Sequence, residues 1–233
     1  MSDIPVLVIA FNRPESFKRV LDSLKSVSPK KIFIAIDGAR SIEDQISIDK
    51  ILSEVSSIPW ECECLTLLQE TNLGCRRAVT SAISWFFSLV DYGIVLEDDI
   101  LISPSFFKFC SFLNKELVHN DKIMSVSGSN FQTSKRSEFS LFYSRFPRIW
   151  GWFTWKHKWL KFQELDNNLD GLINDLDFNT LTTNVFFNRK FENKFLKMYN
   201  GSLDIWSPIW FLAHLLNEQF SVVPEVNMMT NIG

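Results

Sequence analysis

This chain of 233 residues is short of most residue patterns that announce a function. It has three histidines, and no Ser/His/Asp order stands out among them. Four cysteines, Cys62, Cys64, Cys75 and Cys110, lack the paired spacing of a zinc site. Unpaired thiols of a reducing compartment are the simplest account. Neither a G-x-x-x-x-G-K-[ST] loop nor a G-x-G-x-x-G turn follows the first apolar run, so P-loop and dinucleotide-binding readings are weak. No stretch approaches the roughly 18 apolar residues of a transmembrane helix. The start, Met1-Ser2-Asp3-Ile4-Pro5, has no basic n-region. These absences point to the cytoplasm. With 24 basic against 27 acidic residues and a net charge of −3, nothing in the balance suggests a nucleic-acid binder, whose footprint would be basic. No repeat, low-complexity tract or flexible linker divides the chain. One domain of two lobes, 1–100 and 101–233, is expected, and the stop at Asn231-Ile232-Gly233 suits part of a longer protein.

What is present is organised. Short apolar runs alternate with helical patterns through the first half, the signature of βαβ units on a parallel sheet. Strands are expected at 4–10, 32–36, 64–68 and 93–96. Helices are expected from Pro14, at 42–56 and at 76–89. Beyond Asp99 the pattern predicts a helix at 105–117, strands at 123–127, 139–144 and 220–226, and helices over 187–199 and 209–217. The polar stretch 165–181 reads as partly helical. Of 8 tryptophans, six lie at or after Trp150, which sets an aromatic second half against a conventional first half.

The strand ends carry the chemistry. Tyr92-Gly93-Ile94-Val95-Leu96 closes on Glu97-Asp98-Asp99, so consecutive carboxylates stand where a parallel sheet opens onto solvent and binds ligands. Hard oxygen ligands there suit Mg²⁺ or Mn²⁺, which neutralises a diphosphate. Strand alternation would send Glu97 and Asp99 to one side and Asp98 to the other. The competing reading of the triplet is a solvated acidic turn.

Taken in order, Phe11-Asn12-Arg13-Pro14 with Leu21 and Leu24 behind it, Asp37-Gly38, Asn72-Leu73-Gly74, Glu97-Asp98-Asp99 and Trp150-Gly151-Trp152 resemble a GT-A-fold glycosyltransferase. The similarity is to bacterial relatives of N-acetylglucosaminyltransferase I, and it spans nearly the whole chain. It implies an α/β, Rossmann-like, mostly parallel mixed sheet flanked by helices, with an aromatic-rich acceptor-side lobe. It also implies inverting transfer from a nucleoside-diphosphate sugar, usually UDP-linked and Mn²⁺-dependent (or Mg²⁺), to a glycan or lipid-linked glycan of a bacterial-type surface polysaccharide.

By the same resemblance, Arg13 meets the diphosphate or uracil, Asp37 accepts the uracil imide N–H, and Asn72 and Gly74 lie before a helix whose amides face the nucleotide. Arg76 or Arg77 reaches a phosphate or ribose, Arg77 being taken as the candidate. Asp99 holds the metal, Asp98 lies near the ribose, and Glu97 supports the site. Trp150, Gly151 and Trp152 belong to the donor-sugar and acceptor region, where Trp faces stack on sugar rings. Core packing of those Trp, or interfacial contact with membrane-borne acceptors, are the competing readings.

An inverting transfer needs a carboxylate base. Relatives align an Asp where this chain has Ser207, and Asp204 in Ser202-Leu203-Asp204-Ile205-Trp206 is the nearest carboxylate and the candidate. Two rivals stand beside this reading. One is a sugar-nucleotide nucleotidyltransferase, for which the expected Gly-rich, Arg-containing loop is replaced by Ala10-Phe11-Asn12-Arg13-Pro14-Glu15. The other is a catalytically idle nucleotide-sugar or carbohydrate-binding module.

Overall fold

A computed structural model describes residues 2–132, 134 and 138–233. The first half is built as β1 (Val6–Ala10), α1 (Pro14–Lys25), β2 (Lys31–Ile36), α2 (Ile42–Ser56), β3 (Glu63–Leu68), α3 (Gly74–Leu89) and β4 (Tyr92–Glu97). β1 pairs in parallel with both β2 and β4, and β2 with β3. β1 is buried along its whole length because helices cover both faces of the sheet. Val6, Val8 and Ala10 point to one core with α1 and α2, while Leu7 and Ile9 point to the other with α3. Pro14 sits in the first turn of α1, whose apolar stripe Phe17, Val20, Leu21 and Leu24 is buried.

The second half adds β5 (Ile100–Ile102), α4 (Pro104–Leu117), β6 (Ile123–Ser127), β7 (Leu141–Ser144), β8 (Trp152–Trp155), α5 (Lys156–Asn167), α6 (Leu169–Asp175), α7 (Val185–Tyr199), α8 (Ser207–Leu216), β9 (Phe220–Pro224) and β10 (Met229–Asn231). Eight strands form one mixed, mostly parallel sheet in the order β3-β2-β1-β4-β8-β6-β9-β7, and β10 pairs with β5 separately. β8 runs antiparallel between β4 and β6, so it fuses the two halves into a single sheet. Sequence patterning missed β8, because Trp152-Phe153-Thr154-Trp155 is buried throughout and shows no polar alternation. It also missed the three-residue β5 and β10.

The tryptophans of the second half build a core. Trp152 stacks on Trp206 at 5.9 Å and tilts against Trp210 at 4.9 Å, while Trp159 stacks on Phe162 at 4.2 Å. A buried polar chain ties this core to the sheet. His214 Nδ1 donates to the Trp210 carbonyl, leaving Nε2 to accept from Ser125 Oγ, both at 2.9 Å. Full burial pushes the His214 pKa down to about 3, so the ring stays neutral. Ser221 and Ser127 continue the chain to the Arg148 backbone.

Trp152 is 2% exposed and Trp150 44% exposed, and the two should separate on truncation. Trp152→Ala should cost about 3–5 kcal/mol in urea unfolding, and Trp150→Ala about 1 kcal/mol or less. A Trp152→Ala variant as stable as wild type would contradict this packing.

Candidate active site

Because β1, β2 and β4 are parallel, their carboxyl ends open at one edge of the sheet, where open α/β sheets take ligands. A cavity of about 390 Å³ lies there, lined among others by Arg13, Asp37, Asn72, Gly74, Glu97, Asp98 and Asp204. Seven residues picked from the sequence thus share one cavity.

Asp37 holds two loops together. Its Oδ1 accepts from the Gly38 and Leu73 amides at 2.9 Å each, and its Oδ2 from Asn72 Nδ2 at 2.9 Å. Asn72 donates again to the Gly38 carbonyl at 2.9 Å. A side chain at Gly38 would strike the Thr71 backbone, so glycine permits the approach of these loops.

The acidic triplet departs from the alternation expected of it. β4 ends at Glu97, and Asp98 and Asp99 lie in the turn before β5, so strand geometry no longer assigns their sides. Glu97 and Asp98 line the cavity together, and Asp99 stands beside it. Arg13 Nη1 is 2.8 Å from Asp99 Oδ2 and 3.5 Å from Asp98 Oδ1. Asp98 Oδ2 also accepts from the Phe11 amide at 3.2 Å. The chain's last residues pass over this turn, where the Ile232 amide donates to the Asp99 carbonyl at 2.9 Å.

Charge is crowded here. Burial first, then the neighbouring Asp99 and Asp98, pushes Glu97 up to about 7. Burial raises Asp98 to about 6 against the opposing pull of Arg13. Arg13 in turn is raised by Asp98.

The implied metal can be tested against the ligands present. Asp99 Oδ1 is buried with no hydrogen-bond partner, an acceptor that suits a cation. No group of three or more His, Cys, Asp or Glu side chains among the described residues forms a complete cage. Mg²⁺-like ions are commonly held by one or two carboxylates, with substrate phosphates and water completing the shell. The residues fit a metal bound in that way.

Asp204 is placed by an interaction that the sequence did not indicate. Its oxygens accept from the Cys75 amide at 2.6 Å and the Arg76 amide at 2.9 Å, so it caps the N-terminus of α3. Gly74 has φ +78°, and a Cβ there would stand 2.5 Å from Asp204 Oδ2. The expectation that these helix amides face the nucleotide is therefore corrected: a carboxylate of the chain already takes two of them. Ser207 opens α8.

The remaining candidates lie elsewhere. Arg76 bonds Asp166 at 2.5 Å, and both Arg76 and Arg77 line a second cavity across Asp204. Arg77 is thus outside the strand-end cavity. Trp150 meets Phe131 edge-on at 4.9 Å, Gly151 packs on Met229, and none of Trp150, Gly151 and Trp152 lines the cavity. Trp152 is corrected to a core residue, since its ring is buried among other tryptophans.

The sequence reading also missed a flank of the pocket. Arg40 lies over the Phe11 ring at 4.5 Å and bonds Asp44 at 2.8 Å, and Asp44 accepts from Asn12 at 2.7 Å. Arg40, then Asn12, holds Asp44 down at about 2. Only the helix start at Ser41 is legible in that stretch.

No protein-family model matches the chain. Among solved structures it is similar to apo UDP-glucose pyrophosphorylase, with 10% identity, a TM-score of 0.45 and coverage of 95% of this chain and 90% of that one. HddC from Yersinia pseudotuberculosis gives 13% identity and a TM-score of 0.40 over 66% of this chain and 77% of that one. The bifunctional glycosyltransferase WbbM gives 10% identity and a TM-score of 0.41 over 69% of this chain and 32% of that one, so this chain spans about a third of WbbM. These distant likenesses assign no role to any residue.

Raised carboxylates set the sign of the pH response. Between the unfolded carboxylate range near 4 and the folded values of about 6 and about 7, the native state holds more protons than the unfolded chain. Their contribution is therefore most favourable below that window and is lost as pH rises through it. Glu97→Gln should flatten the decline in urea stability between about pH 5 and 7. An unchanged slope would refute the assignment.

Proposed function

We propose that this chain is a nucleotide-sugar-dependent transferase that moves a sugar from a nucleoside-diphosphate donor, UDP-linked in the first instance, to a glycan acceptor with inversion. The observation that carries the reading is the convergence of Arg13, Asp37, Asn72, Glu97 and Asp98 on one strand-end cavity, with the partnerless Asp99 Oδ1 beside it. A cavity walled by four carboxylates would repel a diphosphate unless cations stand between them. Arg13 is one, and a divalent ion on Asp99 is the other. When bound, Mn²⁺ or Mg²⁺ would act as Lewis acid and template for the leaving diphosphate.

The chain's own groups supply the rest. Arg13 can turn from Asp98 and Asp99 to a phosphate, for which its guanidinium offers paired donors. Asp37, kept rigid by Asn72 and Leu73, presents a fixed acceptor edge to a base. Asp204 lines the cavity, and on this reading it takes the acceptor proton through a lone pair not used by the α3 amides. Bacterial-type surface glycan synthesis in the cytoplasm is the setting that suits this chemistry. No helix among the described residues is long and apolar enough to cross a membrane.

A second reading draws on a specific observation. Both oxygens of Asp204 are engaged by α3 amides, and Ser207 stands where a base was sought. A sugar-nucleotide nucleotidyltransferase would use the same strand-end cavity and need no such base.

Two measurements decide. Asp99→Ala should abolish Mn²⁺-dependent UDP binding in a calorimetric titration while leaving the melting curve cooperative. Retained affinity would remove Asp99 from the metal site. Asp204→Asn should keep UDP binding and slow transfer by about 100-fold. Pyrophosphate release from a nucleoside triphosphate and a sugar 1-phosphate, with no transfer from UDP-sugars, would establish the nucleotidyltransferase instead.

A further inference from the structure

One unassigned feature adjoins the candidate site: a second cavity, about 750 Å³, between α3, α5 and the turn leading into α8. Its volume falls within the roughly 300–1,000 Å³ of small-molecule sites. It shares Asp204 with the strand-end cavity, so one carboxylate stands in the wall of both.

The lining identifies the chemistry of an occupant. Thr80, Ser81 and Ser84 put three hydroxyls along one side of α3, and Gln163 on α5 donates its amide to Ser84 Oγ at 3.0 Å. Thr80 and Ser81 donate their protons to helix carbonyls, which leaves their lone pairs to accept from a sugar hydroxyl, while Ser84 keeps its proton to donate. The charges cancel: Arg76 is paired with Asp166 at 2.5 Å, and Arg77 faces a wall that also holds Asp204. With two guanidiniums set against two carboxylates, the lining has no net charge to select an anion or a cation. A nucleobase would find no open ring to stack on, because Phe162 is 1% exposed and lies against Trp159. A neutral polyol meets hydroxyls, amides and a paired charge, with Leu203 offering apolar contact to ring C–H groups.

We infer that this cavity binds a neutral saccharide, and that Asp204 stands between it and the donor. That the saccharide is the acceptor rests on the transferase reading. Its binding does not. The assignment moves the acceptor from the Trp150 region to the cavity bounded by α3 and α5.

Saturation-transfer NMR on the whole chain tests it, with N-acetylglucosamine, methyl β-galactopyranoside and maltotriose as probes. At least one should receive saturation, and its signal should persist when UDP and Mn²⁺ are added. Ser81→Trp fills the cavity and Gln163→Ala removes a wall donor without adding bulk. Each should weaken the saccharide by about tenfold or more, a loss of about 1.4 kcal/mol, and leave UDP affinity unchanged. Trp150→Ala should leave the saccharide signal intact. The inference is overturned if no probe is saturated, if UDP displaces the saccharide, or if Gln163→Ala binds as wild type. Loss of the signal in Trp150→Ala would overturn it as well. Saccharide binding by a chain that fails to bind UDP would sink the donor reading and leave this one standing.

Discussion

The constraint that governs this molecule is the crowding of half-buried Glu97 and buried Asp98 and Asp99 at the end of a strand held on both sides. β4 is fixed by its pairing with β1 on one side and β8 on the other, so the carboxylates cannot retreat into solvent. Desolvation lifts two of them out of the usual acid range. Arg13, delivered by the neighbouring β1, relieves part of that load, and the Phe11 amide relieves a little more. Crowded carboxylates of this kind favour a neighbouring cation over a bare anion.

Much of the architecture was readable because parallel strands with both faces buried announce themselves as short apolar runs. Ile32–Ile36 and Ile94–Leu96 were located in that way. Val6, Val8 and Ala10 feed one core and Leu7 and Ile9 the other, which is why no alternation was needed. The candidate cavity was legible for a related reason. Residues such as Asp37 and Glu97 end strands, and strand ends of a parallel sheet meet at one edge.

The rest was hidden for physical reasons. β8 carries side chains that a helix or a core loop would carry equally well, so its antiparallel insertion has no local signal. The Trp-rich segment contains residues of opposite fate two positions apart: Trp150 reaches solvent and Trp152 is enclosed. Burial of an aromatic ring is decided by what packs on it, here Trp206 and Trp210 from distant sequence. The turn after Glu97 broke the two-residue period on which the sides of Asp98 and Asp99 were argued.

The bond from Asp204 to α3 joins residues 128 or more positions apart. A ribosome-bound chain that has emerged only as far as α3 lacks that carboxylate, and the amides of Cys75 and Arg76 are then free to greet water or a stray anion. The cleft thus cannot take its final shape until residue 204 has been made.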